Sequence, residues 1–229
     1  MGDNIFESHY QAKGIYSQRL YPSEALLCFL GGEGLLSGES NQHIKVLEVG
    51  CGSGANLWMM AKEGLQVYGM DSSPTSLRLA EHHLREKWNV DATLALGTFD
   101  NLPYEDGMFD YVIDVVSLQH IDLTVSQKAL LEVHRVLNPK GKFFSYRLSD
   151  HSVMYEQHGC DEIDAATVSD IVTGMPLAGN GVISFWSPSL AKLKYHEAGL
   201  KIDGIERRSR CYQGGLHLVE YLAIVASKE

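Results

Sequence analysis

The chain has 229 residues, of which 45% are hydrophobic and 21% charged, and carries a formal net charge of −10 at pH 7. Length and composition fit one soluble α/β domain of good size, while the negative balance opposes broad contact with nucleic acid or an anionic membrane. No apolar run reaches the ~18–20 residues that span a bilayer, and the start, MGDNIFESHY, has neither the basic nor the apolar stretch of a secretory signal.

Residues 1–43 precede the first predicted strand and are set apart as an N-terminal segment, dense in tyrosine and ending in an apolar stretch from Ala25 to Leu30. Ile44, Val46, Leu47 and Val49 then make a run suited to a strand buried on both faces. Gly50, Cys51, Gly52, Ser53 and Gly54 form a turn with almost no side-chain bulk, followed by a helix from about Asn56 to Glu63. A second strand ends at Asp71, where a carboxylate can accept both hydroxyls of a ribose. This is the outline of a nucleoside-binding half-fold. The turn parses in two ways: Gly50-x-Gly52-x-x-Ala55 fits a dinucleotide fingerprint, and Glu48-x-Gly50-x-Gly52-x-Gly54 is an acidic residue followed by three alternating glycines.

Ser73 and Pro74 open a helix expected to reach about Trp88, with Leu77, Leu79, Ala80 and Leu84 inward and His82 and His83 in solvent. A third strand covers Ala92–Leu96, and Gly97-Thr98-Phe99-Asp100-Asn101-Leu102-Pro103-Tyr104 leads to a fourth, Tyr111–Val116. Asp114 is a carboxylate inside that apolar strand, where an unpaired charge is costly. His120 follows the strand's carboxyl end, the edge at which ligands sit in open parallel sheets, and has the chemistry of a general base. A helix spans Ser126–Leu137, Asn138-Pro139-Lys140-Gly141 stops it, and a fifth strand covers Lys142–Tyr146.

Residues 147–186 are irregular and are read as a lid insertion over the ligand edge, built from a small helical unit. Within it, Tyr155, Met175, Phe185 and Trp186 suit an organic pocket, whereas His151, His158, Cys160 and Asp161 match no zinc spacing, so no metal is expected. A helix, Ser189–Ala198, and two strands, Lys201 to about Arg208 and His217–Ala226, complete the chain. Their short connection makes the strands antiparallel. The acidic insert (Glu156, Asp161, Glu162, Asp164) points to an amine substrate, and Arg207, Arg208 and Arg210 to an anionic one. Cys28, Cys51, Cys160 and Cys211 form no C-x-x-C pair, which predicts reduced thiols and a cytoplasmic location.

The acidic residue with three glycines, the segment Gly97–Tyr104 followed by Phe109-Asp110-x-Val112, and Leu137-Asn138-Pro139-Lys140-Gly141 come in one order. Together they resemble the class I S-adenosylmethionine-dependent methyltransferases. The resemblance implies a Rossmann-like three-layer α/β sandwich whose seven-stranded, mostly parallel sheet ends in an antiparallel hairpin, occupying residues 44–229. It implies S-adenosylmethionine as cofactor, with Glu48, Gly50, Cys51, Gly52 and Gly54 around one end. Asp71, Ser72, Thr98, Phe99 and Val115 surround the rest. Thr98 stands where the family carries an acid that accepts the adenine amino group, and a neutral hydroxyl is a weaker acceptor; Asp100 is two positions away. In many members the N-terminal segment folds over the cofactor, which assigns Tyr10, Tyr16 and Arg19 to the cofactor or acceptor. Arg147, Tyr155 and Trp186 are placed on the acceptor side, and His120, then Asp114, are the candidate bases. The acceptor is expected to be a small molecule methylated on N or O, and the protein a monomer or homodimer. The competing readings are a nicotinamide-dependent oxidoreductase and a noncatalytic cofactor-binding protein.

Overall fold

Along each central strand, successive side chains leave for opposite faces, and the buried residues divide accordingly. In β1 (Lys45–Val49), Val46 joins one apolar cluster and Leu47 another. In β4 (Phe109–Val115), Val112 and Ile113 divide the same way, as do Phe143 and Phe144 in β5 (Leu137–Leu148). A strand with period-2 alternation that is apolar at every position must be covered twice. One cover is α2 (Glu24–Gly32) with α3 (Leu57–Lys62), which bring Leu26, Leu30, Leu57 and Met60. The other is α5 (Leu123–Val136) with α6 (Pro188–Glu197), which bring Leu130, Val133 and Tyr195. Three layers result.

The computed structural model describes residues 5–36, 38, 41–152, 161–169, 171, 177–212, 214 and 217–229. The remaining strands are β2 (Gln66–Asp71), β3 (Thr93–Leu96), β9 (Leu200–Tyr212) and β10 (His217–Lys228). The seven-stranded sheet runs β3-β2-β1-β4-β5-β10-β9. β1 to β5 are parallel where they pair, and β10 is antiparallel to both β5 and β9. Strand order reverses between β1 and β4, so their carboxyl ends open the crevice in which such sheets bind ligands. A dinucleotide-type sheet would finish on another parallel strand; this one finishes on the expected hairpin.

Several boundaries differ from the sequence reading. α5 starts at Leu123 because Asp122 accepts from the Val125 N–H (2.8 Å), a side-chain cap three residues earlier than expected. α4 (Pro74–His82) passes into a wider π-helical turn over His83–Trp88. That turn buries His83, which was expected in solvent, and the Trp88 indole donates to its Nε2 (3.2 Å). Trp88 lies face to face on Trp58 at 3.7 Å, Tyr21 stands edge-on to both, and the Trp58 indole donates to the Leu20 carbonyl. In the insertion, the described residues form a three-stranded sheet of β6 (Asp161–Asp164), β7 (Thr167–Ser169) and β8 (Ile183–Ser184), rather than helices. Val168, Ile183 and Phe185 pack there against Leu148 and Val219.

Candidate active site

The glycine turn after β1 is fixed from three sides. Gly50 and Gly52 hold φ of +68° and +53°, a region that costs any other residue strain. A Cβ at Gly50 would run into Ser117, and one at Gly52 into the Tyr10 hydroxyl and the Gln18 amide. Ser117 Oγ donates to the Gly50 carbonyl (2.9 Å), tying the turn to the loop after β4, and Gln18 Nε2 donates to Ser53 Oγ (2.8 Å). Asp71 closes the third side, its carboxylate accepting the Gly52 N–H and the Ser73 N–H, both at 2.8 Å. Each carboxylate oxygen keeps a lone pair for a further donor, and burial pushes its pKa up.

Above this turn lies a cavity of about 530 Å³. Asp71, Ser72, Thr98, Phe99 and Asp100 line one part of it. The loop carrying Thr98 and Phe99 is pinned from α5: Arg135 donates to the Leu102 and Tyr104 carbonyls, and Glu132 accepts the Leu102 N–H. Glu48 and Arg19 line a second part. The Glu48 carboxylate takes the Asn56 amide on Oε1 and has no donor on Oε2, and burial raises its pKa to about 8. Arg19 is the opposing charge nearby, solvent-accessible yet lining the cavity.

The roof is α1 (Ile5–Lys13), whose Phe6, His9 and Tyr10 share one face by their i, i+3, i+4 spacing. Its Glu7 accepts from Ser73 Oγ, Thr75 Oγ1 and the Thr75 N–H at the start of α4, which holds the carboxyl near a pKa of about 2. In the floor, Val116 adopts φ +59°, a strained setting for a β-branched residue. Its N–H donates to the Tyr146 carbonyl (2.8 Å), and the chain turns there to bring Ser117 and His120 to the cavity.

The sequence profile described as "Methyltransferase domain" matches residues 46–141, the segment that builds the glycine turn, Asp71, the Thr98 loop and β4. These residues form a methyltransferase domain. An uncharacterized methyltransferase of Synechocystis is 38% identical over 100 residues, 43% of this chain and 44% of that protein. The chain spans about half or less of the length of curated relatives it matches. Among solved structures, a SAM-dependent methyltransferase from Methanosarcina mazei aligns with a TM-score of 0.70 at 19% identity, covering 91% of this chain and 99% of that one. The Burkholderia thailandensis 1,6-didemethyltoxoflavin-N1-methyltransferase, with 1,6-didemethyltoxoflavin and S-adenosylhomocysteine bound, aligns with a TM-score of 0.68 at 16% identity, covering 98% and 87%. At these identities the structures speak to the fold, which is shared.

Within the methyltransferase domain, Glu48, Gly50, Cys51, Asp71 and Ser72 line the cavity, as do Thr98, Phe99 and Val115. Gly52 is covered by Tyr10 and Gln18, and Gly54 packs towards Ala80 and Leu84, so neither lines the cavity. From the N-terminal segment Tyr10 and Arg19 reach the cavity, whereas Tyr16 is 80% exposed and does not line it. Asp114 is a correction. It is fully buried below the floor, accepting from the Ser117 and Leu118 N–H groups and from Ser145 Oγ, so it shapes the loop that follows β4 and does not face the cavity. Arg147 and Trp186 are corrections as well: both are buried, the guanidinium lying 3.5 Å over the indole and donating to Ser184 Oγ. They belong to the core beneath the insertion. Tyr155 lies outside the described residues.

His120 does line the cavity, but both ring nitrogens are engaged: Nδ1 with the Val182 carbonyl (3.1 Å), Nε2 with the Gln119 amide (3.3 Å). Burial lowers its pKa to about 4, which makes it a weak base. Sequence reasoning missed Phe6, His9 and Gln18. Their signal was the i, i+3 spacing of Phe6 and His9 with Tyr10, muted because the rest of α1 is polar.

Proposed function

We propose that the protein transfers a methyl group from S-adenosylmethionine to nitrogen or oxygen of a small-molecule acceptor. The observation that carries this reading is one cavity combining a nucleoside end with a roof of aromatic side chains from α1. When bound, S-adenosylmethionine supplies a methyl group already activated on sulfonium, so the chain's task is to orient and to exclude water. Asp71 retains lone pairs for two ribose hydroxyls. Glu48 Oε2, a buried acceptor without a donor, fits an ammonium, and Arg19 fits a carboxylate. Phe99 offers a face to adenine, and Asp100 stands beside Thr98 as the acceptor that a hydroxyl alone replaces poorly. The didemethyltoxoflavin enzyme, which shares the fold, acts on a small organic molecule and supports the acceptor class.

The reading extends to a cytoplasmic protein, monomeric or homodimeric, with Cys28, Cys51 and Cys211 as free thiols. No helix among the described residues is long and apolar enough to cross a membrane. Calorimetric titration with S-adenosylmethionine, S-adenosylhomocysteine and NAD tests the reading. Micromolar binding of the two adenosyl ligands, lost in Asp71→Ala, is expected. Binding of NAD alone would overturn it in favour of a nicotinamide enzyme. Adenosyl binding without turnover on a broad acceptor panel analysed by mass spectrometry would leave a noncatalytic binder.

A further inference from the structure

Full charges are unevenly spread around the cavity. Among the described residues, Arg19, Glu48, Asp71 and Asp100 are the Asp, Glu, Lys and Arg residues of the wall, and each matches one part of the cofactor under the function proposed above, on which this inference rests. The amino-acid end of S-adenosylmethionine carries one positive and one negative charge, and Glu48 and Arg19 answer them one for one. Beyond β4 the wall continues as Val116, Ile121, Val125 and Asn180, with Phe6 and two histidines. Three of the insert carboxylates and C-terminal arginines that the sequence offered as substrate ligands are engaged elsewhere, and Glu156 lies outside the described residues. Asp164 accepts the Leu123 and Ala166 N–H groups, Arg208 pairs with Glu206 and Arg210 with Glu24. A charged acceptor entering this end would lose its hydration with no countercharge among the described residues to meet it.

The two histidines are not equivalent. His120 has both nitrogens committed, and its ring packs edge-on to Phe6 at 4.7 Å, so it serves as aromatic wall. His9 lines the same space from the other side of Phe6 (6.1 Å) and has no hydrogen-bond partner among the described residues. An imidazole facing a cavity with a free nitrogen lone pair is an acceptor for an O–H or N–H. We infer that the methyl acceptor is an uncharged, flat molecule and that His9 on α1 orients it by accepting a hydrogen bond from the O–H or N–H to be methylated.

The test uses the full-length chain saturated with S-adenosylhomocysteine and four naphthalenes of one shape: 2-naphthol, 2-naphthoate, the 2-naphthylmethylammonium ion and 2-methylnaphthalene. Binding is read by calorimetry. 2-Naphthol is expected to bind at least tenfold more tightly than either ion. His9→Ala is expected to weaken 2-naphthol about tenfold, the loss of one hydrogen bond. It should leave 2-methylnaphthalene and S-adenosylhomocysteine unchanged, and His9→Gln, which keeps an acceptor oxygen, should restore most of the naphthol affinity. Equal or tighter binding of either ion, or no binding of 2-naphthol at millimolar concentration, overturns the acceptor class. Parallel losses for naphthol and methylnaphthalene, or no loss for either, overturn the role of His9. Failure of the wild-type chain to bind S-adenosylhomocysteine would instead fell the proposed function itself.

Discussion

Glu48 ends β1 with one oxygen bonded to Asn56 and the other facing no donor, its pKa raised by burial to about 8 from 4.5. Between those limits the folded chain holds a proton that the unfolded chain has released, so this group's contribution to stability falls as pH rises and levels off above about 8. His120 acts in the opposite sense. Burial lowers its pKa to about 4 from 6.5, the unfolded chain holds the extra proton, and stability rises with pH across that window. The two slopes oppose each other where the windows overlap, and above about pH 6.5 only that of Glu48 remains. Glu48→Gln is therefore expected to stay close to wild type near pH 5 and to exceed it near pH 9 by on the order of 3 kcal/mol, measured by urea unfolding. A bound ammonium beside the carboxylate offsets the burial and expels that proton. Titration of S-adenosylhomocysteine at neutral pH should give different heats in phosphate and Tris, and Glu48→Gln should remove most of the difference.

At the scale of elements, α1 is held to α4 by Glu7 and to the glycine turn through Tyr10 and Gln18. The Glu7 pKa is lowered to about 2, so its bonds persist at every pH above that value and fail only as pH falls through it. Glu7→Ala is expected to let α1 lift, read as severalfold faster tryptic cleavage at Lys13 and Arg19 and faster release of S-adenosylhomocysteine. Gly52→Ala would place a methyl group in the space of Tyr10 and Gln18 on a backbone at φ +53°. A tenfold or greater loss of S-adenosylhomocysteine affinity is expected from it. The sequence made the β1–α3–β2 unit and the closing hairpin legible, because apolar runs, glycines and a terminal Asp71 act locally. It did not reveal the face of α1, where three cavity residues are interleaved with polar ones, nor the strands of the insertion. It also set Asp114 near the site on strand position alone, while that carboxylate is fully buried, bonded to Ser117, Leu118 and Ser145, and does not line the cavity. Arg147 and Trp186 were misplaced for a related reason. Residue type suggested a pocket, but the two side chains stack on each other inside the core.

For the whole molecule, cofactor and fold stabilise each other because the cavity is assembled from both halves of the sheet and from the N-terminal segment. Saturation at about a hundred times Kd contributes about 2.7 kcal/mol, which for a chain of this length should raise Tm by about 5–10 °C. Thermal scans with S-adenosylhomocysteine should show that shift, and Asp71→Ala should abolish it. The stacked Trp58 and Trp88, with Tyr21 edge-on to both and Leu20 holding the Trp58 indole, lie where the N-terminal segment meets the body of the domain. Two indoles 3.7 Å apart and nearly parallel couple their electronic transitions. The protein thus carries its own optical gauge: a displacement of the segment around Tyr21 should alter the far-ultraviolet exciton couplet and quench or brighten tryptophan emission, so that opening of the roof can be timed by stopped flow without attaching a dye.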